Sequence, residues 1–402
     1  MSWREITLGS AIHVKHGFAF KGDLFVDHGK FIVLTPGNFN EEGGFRIRPA
    51  KDRAYAGEIP ESYILDENDL IIAMTEQGAG LLGSAALVPQ GNRYLHNQRL
   101  GLVDQIDASV LDTRFLYLLF NTRSVRSQIS GSASGTKVRH TAPERIYRVR
   151  VRVPDLSTQV AIAETILSYD DLIENNLRRM ALLEESARLL YREWFVRLRF
   201  PGYEHTPIVD GVPQGWECKT LGDLCSDVRD MVLPEALEPD TPYIGLEHIP
   251  RRSISLNEWG TAAEVTSSKS RFKAGEVIFG KIRPYFHKVG VAFVDGVASS
   301  DAIVVRPADD TLHGLVLMTM SSDEFVAVTA QQMKEGSKMP RADWRQMKAY
   351  SVPLPPSGLL SNFDSVIQPI VEQLKTLSFT NQKLRTARDL LLPRLMSGQL
   401  SV

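Results

Sequence analysis

From Ile162 the apolar positions step by four and three residues without a break: Ile166, Tyr169, Ile173, Asn176, Met180, Leu183, Ala187, Leu190 and Trp194. The same frame returns 201 residues later as Phe363, Ile367, Ile370, Leu374, Leu377, Asn381, Leu384, Arg388, Leu391 and Leu395. Alternating threes and fours over four heptads predict a coiled-coil seam rather than a generic amphipathic helix. Each seam spans roughly 48 Å at 1.5 Å per residue. Pro369 lies inside the second seam, lacks a backbone donor, and predicts a kink or a restart there. Asp170-Asp171 lies on a seam flank and reads as a solvated face or a partner contact.

Outside these seams the pattern shortens to strand-length apolar runs between Gly, Pro, Asn and Asp clusters. Strands are predicted at Phe31 to Thr35, Leu70 to Met74, Ala85 to Val88 and Arg148 to Val153, with one helix over Thr113 to Gln128. The order then repeats: Tyr243 to Leu246, Glu276 to Phe279, Val291 to Val294, Ile303 to Val305, and one helix near Leu312 to Gln331. The turn-rich stretch from Pro201 to Gly215 reads as the joint between the copies.

Individual residues repeat as well. Trp3, Thr7, Leu8 and Gly9 return as Trp216, Thr220, Leu221 and Gly222 at a displacement of 213. Gly83-Ser84-Ala85 is echoed by Gly290-Val291-Ala292 at 207, and Gly135-Thr136-Lys137 by Gly336-Ser337-Lys338 at 201. The period is too long for a solenoid. It describes one domain duplicated, each copy followed by a long helix, an arrangement that does one kind of binding twice. The fold class is α+β: two mixed α/β domains joined by two long helices. Both helices join the second copy, so they are expected to leave it side by side and run antiparallel. Centring the seams gives paired positions that sum to 557, which sets Asn176 opposite Asn381, Trp194 opposite Phe363, Leu183 opposite Leu374 and Tyr169 opposite Arg388. Two buried amides would satisfy each other and fix the register.

The 402 residues suffice for two or more domains. Apolar content of 43% and charged content of 23% are ordinary for a globular chain. Two cysteines, Cys218 and Cys225, suit a reducing cytoplasm and make no disulfide framework or metal site. No secretory leader or 18-residue apolar run is present, so no membrane role is expected. The net charge of -2 argues weakly against nucleic acid, but charge is segregated. Residues 121–152 carry eight basic residues against Glu144, a local +7, and 269–288 carry six against Glu276, a local +5. Such segregation can give a neutral protein a nucleic-acid face; the alternative is basic strands that merely face solvent.

No catalytic constellation emerges. Gly275 to Lys281 matches the first seven positions of a phosphate-binding loop, but Ile282 stands where the magnesium-binding hydroxyl is needed. Val277-Ile278-Phe279 also favours a strand. There is no glycine-rich cofactor fingerprint, amino-methyltransferase motif, His-Glu-x-x-His or nucleophile elbow. The Gly-Thr-Lys and Gly-Ser-Lys segments carry more. Each follows the helix of its copy and precedes the last strand, with Thr136, Lys137, Arg139 and His140 in the first and Ser337, Lys338 and Arg341 in the second. Small residues, hydroxyls and positive charge suit close approach to a phosphate backbone. Lys281, Arg283, Tyr285 and Lys288 form a second candidate; the first copy offers Thr75, Glu76 and Gln77 there. If this loop reads bases, Arg favours guanine and Gln favours adenine, so the copies read different bases.

The stretch Leu189-Leu190-Tyr191-Arg192-Glu193-Trp194-Phe195-Val196, running into Phe200-Pro201-Gly202-Tyr203-Glu204, resembles the specificity subunits of type I restriction–modification enzymes. Pro213-Gln214-Gly215-Trp216-Glu217, Leu221-Gly222-Asp223, Leu354-Pro355-Pro356 and Leu390 to Gly398 are similar to further parts of that family. The resemblance implies target-recognition domains at 1–155 and 199–355, with conserved spacer helices at 156–198 and 356–402 forming an antiparallel coiled coil. Each domain would read one half of a split, asymmetric site on double-stranded DNA, the halves roughly one to one and a half turns apart at about 34 Å per turn. The helices would carry methyltransferase subunits, two of them, together with restriction and translocase subunits. Catalysis would belong to those partners, using S-adenosylmethionine, ATP and Mg, with no cofactor on this chain. The family's Glu-Gln after the Pro-Pro junction is incomplete: Gln159 follows Pro154-Asp155, and Leu359-Leu360 follows Pro355-Pro356. A stand-alone bivalent DNA-binding regulator, a partner of a fused restriction–methylation enzyme, an enzyme with an unrecognised site and a protein-binding scaffold are the alternatives.

Overall fold

The computed structural model describes residues 3–76, 80–331 and 339–402. It comprises two compact units, Met1–Asp171 with Arg385–Val402, and Leu172–Leu384.

The first unit is built on an antiparallel sheet in the order Ile12–His16, Leu100–Ile106, Leu70–Ala73, Ala85–Leu87. Leu70–Ala73 is buried at every position. Its side chains alternate between two cores, as the period of two in a strand requires. Leu70 and Ile72 face Phe115, Leu116 and Phe120, while Ile71 and Ala73 face Leu34, Phe39 and Val88. A smaller sheet contains Phe25–Val26, Ala54–Tyr55, Ile32–Val33 and Tyr94–Leu95. A ribbon of Arg4–Thr7 against Arg150–Val153 ties the start of the unit to its last strand.

The second unit repeats this plan. Its main sheet runs Cys225–Val228, Ala302–Pro307, Val277–Gly280, Val289–Ala292, Ser255–Leu256. Val277 and Phe279 enter one core and Ile278 the other. Glu217–Thr220 pairs with Ser351–Leu354, as Arg4–Thr7 pairs with Arg150–Val153.

The single helix expected in each copy is two. Thr113–Phe120 stops before Thr122, whose hydroxyl accepts from Val125 N and starts Arg123–Gly131. His313–Met320 stops before Ser322, whose hydroxyl accepts from Phe325 N at 3.1 Å and starts Asp323–Gln331. A hydroxyl at the cap supplies the bond that a continued helix would draw from its own backbone.

The first long helix, Leu156–Tyr191, begins at Asp155, whose carboxylate accepts from Ser157 Oγ at 2.6 Å and Thr158 N at 3.0 Å. These bonds bring its carboxyl down to about 2. Gln159 is fully buried one turn in, accepting from Asp112 N at 3.0 Å and donating to the carbonyls of Val110 and Pro154 at 2.9 Å. It fastens the helix to the body of its own unit. The second long helix, Ser357–Met396, runs through Pro369 without restarting. Pro369 and Ser365, whose carbonyl loses its donor, are both exposed to water, while Ile367, Val371 and Leu374 hold the chain in the core.

Within the second unit the helix segments are antiparallel. The rings of Trp194 and Phe363 lie 5.7 Å apart, and Asn176 Nδ2 donates to Asn381 Oδ1 at 2.9 Å. The amides satisfy each other only halfway, because Asn381 Nδ2 is buried without a partner. Within the first unit, Ile162 and Ile166 share a core with Leu395 and Met396. There Arg388 pairs with Asp170 at 2.5 Å, so Asp170 is an internal ion-pair partner as well as part of a flank on which Asp171 is exposed.

Candidate nucleic-acid interface

Both candidate loops of each copy come together at one edge of its unit. In the first unit the chain leaves the buried strand at Met74 and pairs Thr75–Glu76 antiparallel with Arg139–His140. Ser134 and His140 exchange backbone bonds of 3.0 and 2.8 Å and close a hairpin around Thr136 and Lys137. Gly135 at φ +95° makes that turn, and a Cβ there would lie 2.0 Å from the Val138 carbonyl. Thr136, Lys137 and His140 are exposed. Gln77 lies outside the described residues, as do Ser337 and Lys338 of the second copy.

Beneath this hairpin is a fixture that sequence reasoning missed. Glu76, 3% exposed, accepts from Leu81 N at 2.9 Å and Leu82 N at 2.8 Å, and pairs with Arg139 Nη1 at 3.3 Å. Arg139 also donates to the Ser130 carbonyl. Arg126 donates to the carbonyls of Leu82 and Glu41 at 2.9 Å and to that of Gly80. Arg139 therefore props the edge from behind. The basic stretch 121–152 does not form one face. Arg126 and Arg139 are tied inward, Arg145 bonds Ser134 Oγ, and Arg123, Arg150 and Arg152 line a separate cavity beside Trp3.

In the second unit the equivalent edge forms where Ile282 bridges Arg341, with Arg283 N donating to the Pro340 carbonyl and Ala342 N to the Lys281 carbonyl, both at 2.9 Å. Val277–Gly280 is a paired strand, so its amides cannot cradle a phosphate. Arg283 and His287 both take left-handed backbone, φ +50° and +54°, on either side of a single 3-10 turn, Pro284–Phe286. Two non-glycine residues in that region are a local strain, a feature that clusters at functional sites. The turn pushes Arg283 and Tyr285 into solvent, Tyr285 being 52% exposed. Phe286 packs beneath Arg251, whose guanidinium lies 3.9 Å from the ring centre.

The remaining cations of this loop face inward. Lys281 Nζ donates to the Ser300 carbonyl at 2.8 Å, and Lys288 Nζ to that of Leu246. Burial pulls both ammonium groups below their ordinary range. Arg341 is mostly exposed and pairs with Asp301 at 3.1 Å. His287 is buried, with Nε2 donating to the Ser321 carbonyl at 2.8 Å and Nδ1 3.5 Å from Asp323. Burial lowers its pKa. No periodic signal marks Glu76, Arg126, Arg251 or His287, because each acts through a contact distant in sequence.

Among the described residues no group of three or more His, Cys, Asp or Glu could hold a metal ion, and no helix is long and apolar enough to cross a membrane. Cys225 is buried, its thiol pushed up to about 12, and Cys218 is exposed.

Residues 1–185 match the family model described as the type I restriction modification DNA specificity domain. The chain is similar to the type I restriction enzyme MjaIX specificity subunit of Methanocaldococcus jannaschii, 22% identical over 309 residues that cover 72% of this chain and 69% of that protein. It is similar to the EcoDI specificity subunit of Escherichia coli, 24% identical over 304 residues covering 68% and 65%. Among solved structures it shares the fold of the S subunit of a type I restriction-modification system from M. genitalium, with a TM-score of 0.66, 16% identity, and coverage of 98% and 96%.

Proposed function

We propose that the chain is a specificity subunit of a type I restriction–modification system, and that each unit reads one half of a split DNA site through its double-loop edge. The observation that carries this reading is the recurrence of that edge. In both units the loop after the buried central strand is bonded to the loop before the last strand. In the first unit Thr136, Lys137 and His140 face the DNA, and Gln77 follows the paired Thr75–Glu76 in sequence. In the second, Arg283 and Tyr285 approach base edges, Arg341 lies beside them, and Ser337 and Lys338 precede Arg341 in sequence. Arg283 suits guanine and Gln77 adenine. Lys281 and Lys288 contribute positive potential and hold the loop rather than contact bases.

The chain acts without a catalytic centre or cofactor of its own. Two methyltransferase subunits using S-adenosylmethionine, and restriction subunits using ATP and Mg, perform the chemistry. Leu182 and Leu189, one heptad apart on the first long helix and 69% and 44% exposed, support a docking role for that helix.

Mapping methylated adenines in host DNA with and without this chain tests the reading. A bipartite motif present only with the chain is expected, and Arg283→Ala should relax one half of it alone. Methylation that is identical without the chain overturns it. DNA affinity should fall steeply with salt; a flat response would point to a protein-binding scaffold.

A further inference from the structure

Trp3 and Trp216 hold the same place in the two copies of the duplicated domain, one residue before Arg4–Thr7 and Glu217–Thr220. Their surroundings differ. Trp216 is 8% exposed, with the rings of Phe200 and Phe195 at 4.8 and 5.6 Å. Phe200 arrives there because the chain turns at Leu198, φ +55°, after the first long helix. The second long helix ends in a similar turn at Gly398, φ +74°. The residue two beyond that turn is Leu400, 38% exposed, where Phe200 is 3% exposed. The first unit has the tryptophan and the turn but not the plug.

What remains is an open cavity of about 380 Å³ beside Trp3, floored by Leu119, Val125 and Met396 and rimmed by Arg123, Arg150 and Arg152 against Glu5. That volume lies at the small end of ligand sites, about 300 Å³ and upward. The Arg150–Glu5 pair is loose, 3.8 Å with both side chains mostly exposed, so the rim keeps its positive charge. At the matching positions the second unit has Asp323 for Arg123 and Ser351 for Arg150.

We propose that this cavity receives an aromatic side chain carried on an acidic segment of a partner protein, as Phe200 covers Trp216 within the chain. A phosphate backbone would use the arginines but gain nothing from the apolar floor, whereas an aromatic ring gains by leaving water. The inference needs a second protein and does not depend on which bases are read.

The test titrates the full chain with a fluorescent peptide, Asp-Glu-Asp-Phe-Asp-Glu-Asp, and follows anisotropy. Saturable binding is expected, about tenfold or more weaker when the Phe is replaced by Ala. Ser397→Trp, at the exposed lip, should fill the cavity and abolish binding. Arg150→Glu with Arg152→Glu should weaken the acidic peptide and favour one with Lys in place of its acids. DNA affinity, measured on the same samples, should hold in both variants, and its absence in the parent chain would count against the DNA reading alone. Equal binding of the Ala peptide, or no saturation, overturns the proposal. So does self-association abolished by Ser397→Trp, which makes a second copy the occupant. Loss of DNA affinity in the double arginine variant with peptide binding unchanged assigns the rim to phosphate and also overturns it.

Discussion

Main-chain pairing joins the two loops at the candidate edge of both units, and in the first unit a buried side chain fastens that edge as well. Glu76 gathers two amides and a guanidinium beneath the first edge. The second relies on backbone bonds between residues 281–283 and 340–342, and on the left-handed pair Arg283 and His287. The lesson is that one topology can be held by unlike means, leaving different side chains exposed at the edge. The sharpest way to break the comparison is Glu76→Ala. It leaves the amides of Leu81 and Leu82 without their acceptor and Arg139 without its carboxylate. Buried polar groups so abandoned cost about 3 kcal/mol together. Denaturant unfolding should show that loss, with recognition of one half-site lost. Asp301→Ala, which removes the partly buried carboxylate paired with the mostly exposed Arg341, should cost under about 1 kcal/mol. Equal costs would mean that the edges are held alike.

Buried histidines sharpen the comparison next. His96 in the first unit is fully buried, donates from Nε2 to the Leu100 carbonyl at 2.9 Å, and has no partner for Nδ1. Burial holds its pKa down to about 4 from the ordinary 6.5. Above pH 6.5 the ring is neutral in folded and unfolded chains, and the stability is fully present. As pH falls from 6.5 to about 4, the unfolded chain takes a proton that the folded one refuses. Stability should drop over that window by about 3 kcal/mol, at roughly 1.4 kcal/mol per unit, and then level off. His287 is lowered in the same direction by burial, but its hydrogen bond to the Ser321 carbonyl, and after it the Asp323 carboxylate, oppose the shift. His96→Gln should therefore remove more of the acid sensitivity than His287→Gln, measured as unfolding free energy against pH. The reverse order would show that the first unit tolerates a charged ring.

The antiparallel helices of the second unit were legible in the sequence because an Asn interrupts each largely apolar seam, and connectivity leaves one direction. The alternation of Leu70–Ala73 was legible only as an apolar run; that its two faces enter two cores came from the fold. The helix breaks at Thr122 and Ser322 carry a readable hydroxyl three residues before an inward Val125 or Phe325, and the apolar pattern on both sides masked it. The meeting of residues 75–76 with 139–140 could not be read, because no local pattern encodes a contact across more than 60 residues. For the Asn pair, Asn176→Leu should cost about 1–3 kcal/mol by leaving Asn381 wholly unpaired. The double change of Asn176→Leu and Asn381→Leu should recover most of it in thermal unfolding. No recovery would mean that the amides have partners other than each other.

The smallest effect probes the strain in the second edge. Arg283 holds φ +50°, a conformation that costs an L-residue about 1 kcal/mol and glycine little. If that strain serves to present the guanidinium, Arg283→Gly should relax specificity at one base pair and leave stability unchanged or raised by less than about 1 kcal/mol, since the added freedom of the unfolded chain offsets part of the relief. The first edge has no described non-glycine residue in this conformation; its turn uses Gly135. Thr136→Ala in that hairpin should therefore alter binding without the compensating gain. A loss of stability in Arg283→Gly as large as that in Glu76→Ala would show that Arg283, like Glu76, holds its edge together, and the contrast between an edge with a side-chain fixture and an edge without one would fail.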